Sequence, residues 1–109
     1  MELKKDTIKN LQEYTAQKIK ERGFEDESLH ERLLMLTEEL GELVKACRKM
    51  SGMYVDKQRP ITHAPGEEIT DVINMVFAVG IKLGLDIEKE FVEKEAKIDK
   101  RNYERTNNK

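Results

Sequence analysis

The chain has 109 residues, enough for one domain with a modest core. Hydrophobic residues make up 38% and charged residues 39%, and the net charge of −2 points away from nucleic acid or an anionic membrane surface as a partner. The single Cys47 excludes an intramolecular disulfide framework and a cysteine zinc site, and no apolar run approaches the roughly 20 residues of a membrane span.

With a charged start and no apolar leader, the chain reads as cytoplasmic. Residues 1–5 read as a frayed start. Asp6 or Thr7 can cap a first helix running to about Arg22, with Ile8, Leu11, Tyr14, Thr15 and Ile19 on one side. Gly23 ends that helix, and Phe24 stands in a short acidic connection. Ser28-Leu29-His30-Glu31 is a capping box that opens a second helix, expected to reach about Met50. Residues 51–64 lack periodicity and read as a mobile loop, of a length often tied to function. Pro65 suits the first turn of a third helix over about 65–83, closed by Gly84. That helix is apolar around nearly all its circumference, so a subunit interface is expected. Asp86 can cap a fourth helix continuing to about Arg105, and residues 106–109 are expected to be disordered. The fold class is therefore all-α, a four-helix bundle completed by oligomerisation.

Two of these helices carry matched acidic motifs. Glu38-Glu39-Leu40-Gly41-Glu42-Leu43-Val44 returns 29 residues later as Glu67-Glu68-Ile69-Thr70-Asp71-Val72-Ile73. At about 100° per residue, Leu36, Leu40, Leu43 and Cys47 form one apolar stripe. Glu39 falls beside it, Glu42 lies at its edge, and Glu38 points further out. In the third helix Ile69, Val72, Ile73, Val76 and Gly80 form the stripe, with Glu68 and Asp71 bordering it and Glu67 pointing away. Pooled carboxylates repel one another and lose hydration, and a divalent cation relieves both costs. All-oxygen ligands suit Mg²⁺ or Mn²⁺, so Glu39, Glu42, Glu68 and Asp71 are the candidate metal ligands. The alternative is that these acids cover a solvated helix face and favour a helix N-terminus.

Three further features bear on function. Lys97, Arg101 and Arg105, spaced four apart, share a face if the fourth helix continues, and beside a metal they can hold phosphate oxygens. The plainer account is that they favour a helix C-terminus. Cys47 phases with the core stripe and is expected to be a packed thiol. His30 and His63 read as surface residues, since neither acidic motif has a histidine at the spacing of di-iron bundles.

Glu38-Glu39-x-x-Glu42, a gap of 25, then Glu68-x-x-Asp71 resembles the signature of MazG-like nucleotide pyrophosphohydrolases, in the all-α NTP pyrophosphatase superfamily. The resemblance extends over nearly the whole chain, through Arg22-Gly23-Phe24, Leu33-Leu34-Met35-Leu36 and Asp71-Val72-Ile73-Asn74. It implies Mg²⁺ on the four carboxylates and hydrolysis of a nucleoside triphosphate to a monophosphate and pyrophosphate. It also implies a homodimer or homotetramer. Under it, Glu38 orients the attacking water, while Lys97, Arg101 and Arg105 stabilise the leaving pyrophosphate. Phe24 stacks on the base, and Asn74 bonds the sugar or a ligand carboxylate. Two departures concern the base and the phosphates: tryptophan is absent, and the basic C-terminal signature matches loosely, with Lys94 able to replace Lys97. The rivals are a helical interaction module with a structural cation and a phosphoribosyl-ATP pyrophosphohydrolase.

Overall fold

The computed structural model describes residues 6–106. Its elements are α1 (Thr7–Glu21), α2 (Leu29–Met50), α3 (Pro65–Lys82) and α4 (Ile87–Ile98), with no strand among the described residues. The expected frayed start at residues 1–5 and the tail at 107–109 lie outside the described residues; Thr106 is described and is not helical.

Local signals set most of the helix ends. Ser28 Oγ accepts from the Glu31 backbone N–H at 3.1 Å, and the Ser28 N–H donates to Glu31 Oε1 at 3.4 Å, closing the capping box. Pro65 opens α3, where its missing N–H is no loss. Asp86 Oδ1 accepts from the Lys89 N–H at 3.2 Å and starts α4. Gly23 and Gly84 follow α1 and α3 with φ of 79° and 70°, the left-handed conformation that glycine adopts without strain.

Two helix ends differ from expectation. Asp6 occupies the N-cap of α1 but makes no side-chain cap bond. Instead the Lys9 N–H in that first turn donates to Glu88 Oε1 of α4 at 3.5 Å. Helix α4 stops at Ile98 rather than near Arg105. The Asp99, Lys100 and Arg101 N–H groups bond back to Glu95, Lys97 and Ile98, and the chain then leaves the helix. Beyond Ile98 the described residues offer only the exposed Tyr103 as a large apolar side chain, and a helix without an apolar face to bury is marginal in water.

Helix α3 is the centre of the fold. Helix α2 packs along it, α1 crosses it, and α4 leans on α1. Gln12 fastens α1 to the α3–α4 turn from both ends of its amide: Nε2 donates to the Leu85 carbonyl at 2.8 Å, and Oε1 accepts from the Ile87 N–H at 3.0 Å. Gly80 lets Ile87 lie against α3; a Cβ there would sit 2.5 Å from Ile87 Cδ1.

The covered face of α2 carries Arg32, Leu36, Glu39, Glu42, Leu43 and Ala46. That face is turned from the expected stripe by roughly 70°, at about 100° per residue. Leu40 is 45% exposed, Val44 is more so, and Cys47 is exposed rather than packed. On α3, Ile69, Ile73 and Val76 are likewise exposed. The acids therefore face the α2–α3 contact, and much of the apolar stripe faces outward. Periodicity finds the widest apolar stripe but does not tell which face a single chain covers.

The molecule is open for its size. Its radius of gyration is 17.6 Å, where a compact chain of this length has about 13 Å. Its accessible surface is 9374 Å², where about 6,200 Å² is usual for a folded monomer of this mass.

Candidate metal centre

Packing α2 against α3 joins the two acidic motifs. Carboxylate oxygens of Glu39, Glu68 and Asp71 lie within 4.8 Å of one another. Ligand atoms of Glu42, His63 and Glu68 meet the same limit. Glu68 belongs to both sets, and its side chain is only 3% exposed. All four expected ligands thus enter the two sets, although Asp71 itself is exposed.

A buried carboxylate needs a partner, because losing its hydration costs several kcal/mol. Glu68 finds one in His63, whose Nδ1 lies 2.7 Å from Glu68 Oε1. His63 is a surface residue as expected, but it is also drawn into the acidic cluster. It stands near the end of the loop 51–64, two residues before Pro65 at the start of α3. Two cations at the end of α2 hold that loop. Arg48 donates to the Tyr54 carbonyl at 3.0 Å, and Lys49 donates to the Ile61 carbonyl at 3.2 Å.

Glu39 shows the strain of the cluster most directly. Burial pushes its carboxyl above the ordinary value, and the charges of Asp71, Glu68, Glu38 and Glu42 push it the same way. Glu38 is exposed and lies outside both ligand sets. The chemistry of the donors fits a hard divalent cation: several oxygens, one deeply buried.

One helical turn from these ligands opens an apolar cavity of about 600 Å³. Met35, four residues before Glu39, lines it, as does Asn74, three residues after Asp71. Phe24 lines the same cavity, with Leu11, Tyr14 and Phe77. The structure thus brings Phe24 and Asn74 to one pocket beside the acids.

Arg32 was not expected to matter, and it fixes this pocket's rim. Only 2% exposed, it donates from Nη1 to the Ala78 carbonyl at 2.7 Å and from Nη2 to the Phe24 carbonyl at 3.3 Å. Its Nε is buried without a hydrogen-bond partner, with Glu27 Oε1 4.0 Å away. The signal in the sequence was slight: Arg32 stands between Glu31 and Leu33, seven residues before Glu39, on the same side of the helix.

The basic row is not assembled. Lys94 and Lys97 are exposed on α4, while Arg101 and Arg105 lie past its end. Among the described residues no ion pair joins Lys97, Arg101 or Arg105 to the acidic motifs. No helix among the described residues is long and apolar enough to cross a membrane. No protein-family model matches the chain, and no curated protein matches it closely enough to count as a relative.

Proposed function

We propose that this protein is a Mg²⁺-dependent nucleotide pyrophosphohydrolase, cleaving a nucleoside triphosphate to a monophosphate and pyrophosphate. The observation that carries this is the juxtaposition of a metal-suited carboxylate trio, Glu39, Glu68 and Asp71, with an apolar pocket one turn away. A nucleotide has those two halves, an anionic phosphate chain and a flat base. The MazG-like spacing of the acidic motifs supports the same conclusion.

Glu39, Glu68 and Asp71 would hold Mg²⁺, or Mn²⁺ in its place, with Glu42 adjoining through the set it forms with Glu68. When bound, the ion supplies charge neutralisation at the phosphate oxygens. The protein's own part is positioning. Glu38, exposed beside Glu39, would accept a proton from a water aimed at the α-phosphorus. Phe24 gives the base a flat apolar contact, and Asn74 offers donors and acceptors to the sugar or to a ligand carboxylate. Arg32 donates to the Phe24 carbonyl and so would steady the pocket wall that carries Phe24. Of the basic row, Lys97 alone stays helical. In one chain α4 packs on α1, and a second copy is the proposed route by which Lys97, Arg101 or Arg105 would reach phosphate.

A second copy is part of the proposal. Leu33, Leu40 and Val44 of α2, with Ile69, Ile73 and Val76 of α3, remain exposed along two helices that pack together. A homodimer, or a homotetramer built from it, covers this stripe and completes a four-helix core.

The test is a panel of ribo- and deoxynucleoside triphosphates incubated with Mg²⁺ and assayed for pyrophosphate. Turnover should stop with EDTA and return with Mg²⁺ or Mn²⁺. Nucleotides left intact across the panel would favour an interaction module, and turnover of phosphoribosyl-ATP alone would favour that rival enzyme.

A further inference from the structure

Beside the all-oxygen set stands one of different chemistry. His63, Glu42 and Glu68 bring a ring nitrogen and two carboxylates within 4.8 Å of one another. A cavity of about 110 Å³ lies against Glu42 and His63, walled also by Lys45, Pro60, Ile61 and Thr62. Its volume exceeds that of one water in the liquid, about 30 Å³, so a cation with part of its water shell fits. His63 Nδ1 and Glu68 Oε1 are 2.7 Å apart. Adjacent ligands on an octahedral ion with bonds of about 2.1 Å are about 3.0 Å apart. Seating a metal between these atoms therefore needs only a slight widening.

We propose that His63, Glu42 and Glu68 form a second metal position that takes a first-row transition ion, such as Mn²⁺ or Co²⁺, in preference to Mg²⁺. An imidazole ligand shifts selectivity in that direction, whereas carboxylates alone suit Mg²⁺. Glu68 is common to both sets and would be shared by the two ions. The ion also ties down the loop 51–64, since His63 is its ligand and Lys49 already anchors Ile61. Lys45 lines the same cavity, and its ammonium would have to stay clear of the ion. The inference deepens the metal-dependent function proposed above and rests on it.

The experiment titrates Mn²⁺ and Mg²⁺ by calorimetry into wild type, His63→Gln and Glu39→Gln, and records the visible absorption of each with Co²⁺. Wild type should bind two Mn²⁺ per chain. His63→Gln should weaken one of these by roughly tenfold or more, keep the other, keep Mg²⁺ binding, and lose the Co²⁺ bands of nitrogen ligation. Glu39→Gln should show the reverse pattern. His63 is 63% exposed, so the variant should fold, and far-ultraviolet circular dichroism confirms it. Wild-type Mn²⁺ stoichiometry and affinity in His63→Gln, with unchanged Co²⁺ bands, would overturn the proposal. If wild type releases pyrophosphate with Mg²⁺ while His63→Gln keeps both Mn²⁺ sites at full affinity, this inference alone fails. If wild type binds no divalent ion, the proposed function fails with it.

Discussion

Replacing Glu39 with Gln removes one charge from the α2–α3 contact and leaves the shape of the side chain nearly unchanged. The Glu39 carboxylate stands within 4.8 Å of those of Glu68 and Asp71. At that separation two like charges repel by about 3.5 kcal/mol at an effective dielectric of 20. Asp71 is exposed and water screens it, so the net relief is about 1–3 kcal/mol. In a chain of this length each kcal/mol moves the melting temperature by roughly 4 °C. Metal-free Glu39→Gln should therefore melt about 4–12 °C above wild type. Mg²⁺ should reverse the order. An ion present at about 100 times its Kd stabilises the folded state by about 2.7 kcal/mol, or about 11 °C, and Glu39→Gln should lose most of that gain. Glu38→Gln is the matched control: its carboxylate is exposed and outside both ligand sets, so the Mg²⁺ shift should persist. Scanning calorimetry in EDTA and in Mg²⁺ gives all six values. If Glu39→Gln lowers the metal-free melting temperature, or if Glu38→Gln is the variant that loses the Mg²⁺ shift, the assignment of the ligands is wrong.

The raised carboxyl of Glu39 fixes a pH dependence. The folded state holds that proton more tightly than the unfolded state, so the Glu39 contribution to metal-free stability is fully present below the ordinary value of 4.5 and is lost as pH rises through the raised one. The wild-type melting temperature in EDTA, measured relative to Glu39→Gln, should fall as pH rises from that value, and a rise would contradict the cause given for the shift. Ile73→Glu places a charge on the exposed α3 stripe and should convert an oligomer into a folded monomer by sedimentation; a folded wild-type monomer at micromolar concentration would remove the need for a second copy. Phe24→Ala should raise KM for the preferred nucleotide by roughly tenfold, the scale of one base–aromatic stack, with little change in kcat. An unchanged KM would place the base elsewhere.

How much of this was legible in the sequence depended on the range of the interaction. Caps and breakers act within one turn, and Ser28, Pro65, Asp86, Gly23 and Gly84 marked their helix ends correctly. The end of α4 was missed because spacing alone suggested a continuing basic face, while past Ile98 only the exposed Tyr103 offers an apolar side chain to support one. The acidic pairing was visible as two matched motifs, and α2–α3 packing brings all four acids into the two ligand sets. The phase of the core was not, because the stripe through Leu40, Cys47 and Val76 faces outward in the single chain. Gln12, Arg32 and His63 gave little signal, since each works through a partner in another helix or turn. Glu68 was recognised as a ligand candidate, but its burial against His63 emerges only when the loop returns to α3.

The central claim is that this carboxylate centre directs water to the α-phosphorus of a nucleotide. Hydrolysis in water enriched in heavy oxygen, followed by mass spectrometry of both products, tests it most directly. Attack at the α-phosphorus puts one heavy oxygen in the nucleoside monophosphate and none in the pyrophosphate, and Glu39→Gln should reduce the rate about 100-fold or more without moving the label. Label in the pyrophosphate, release of orthophosphate in its place, or a full rate in Glu39→Gln would contradict the account.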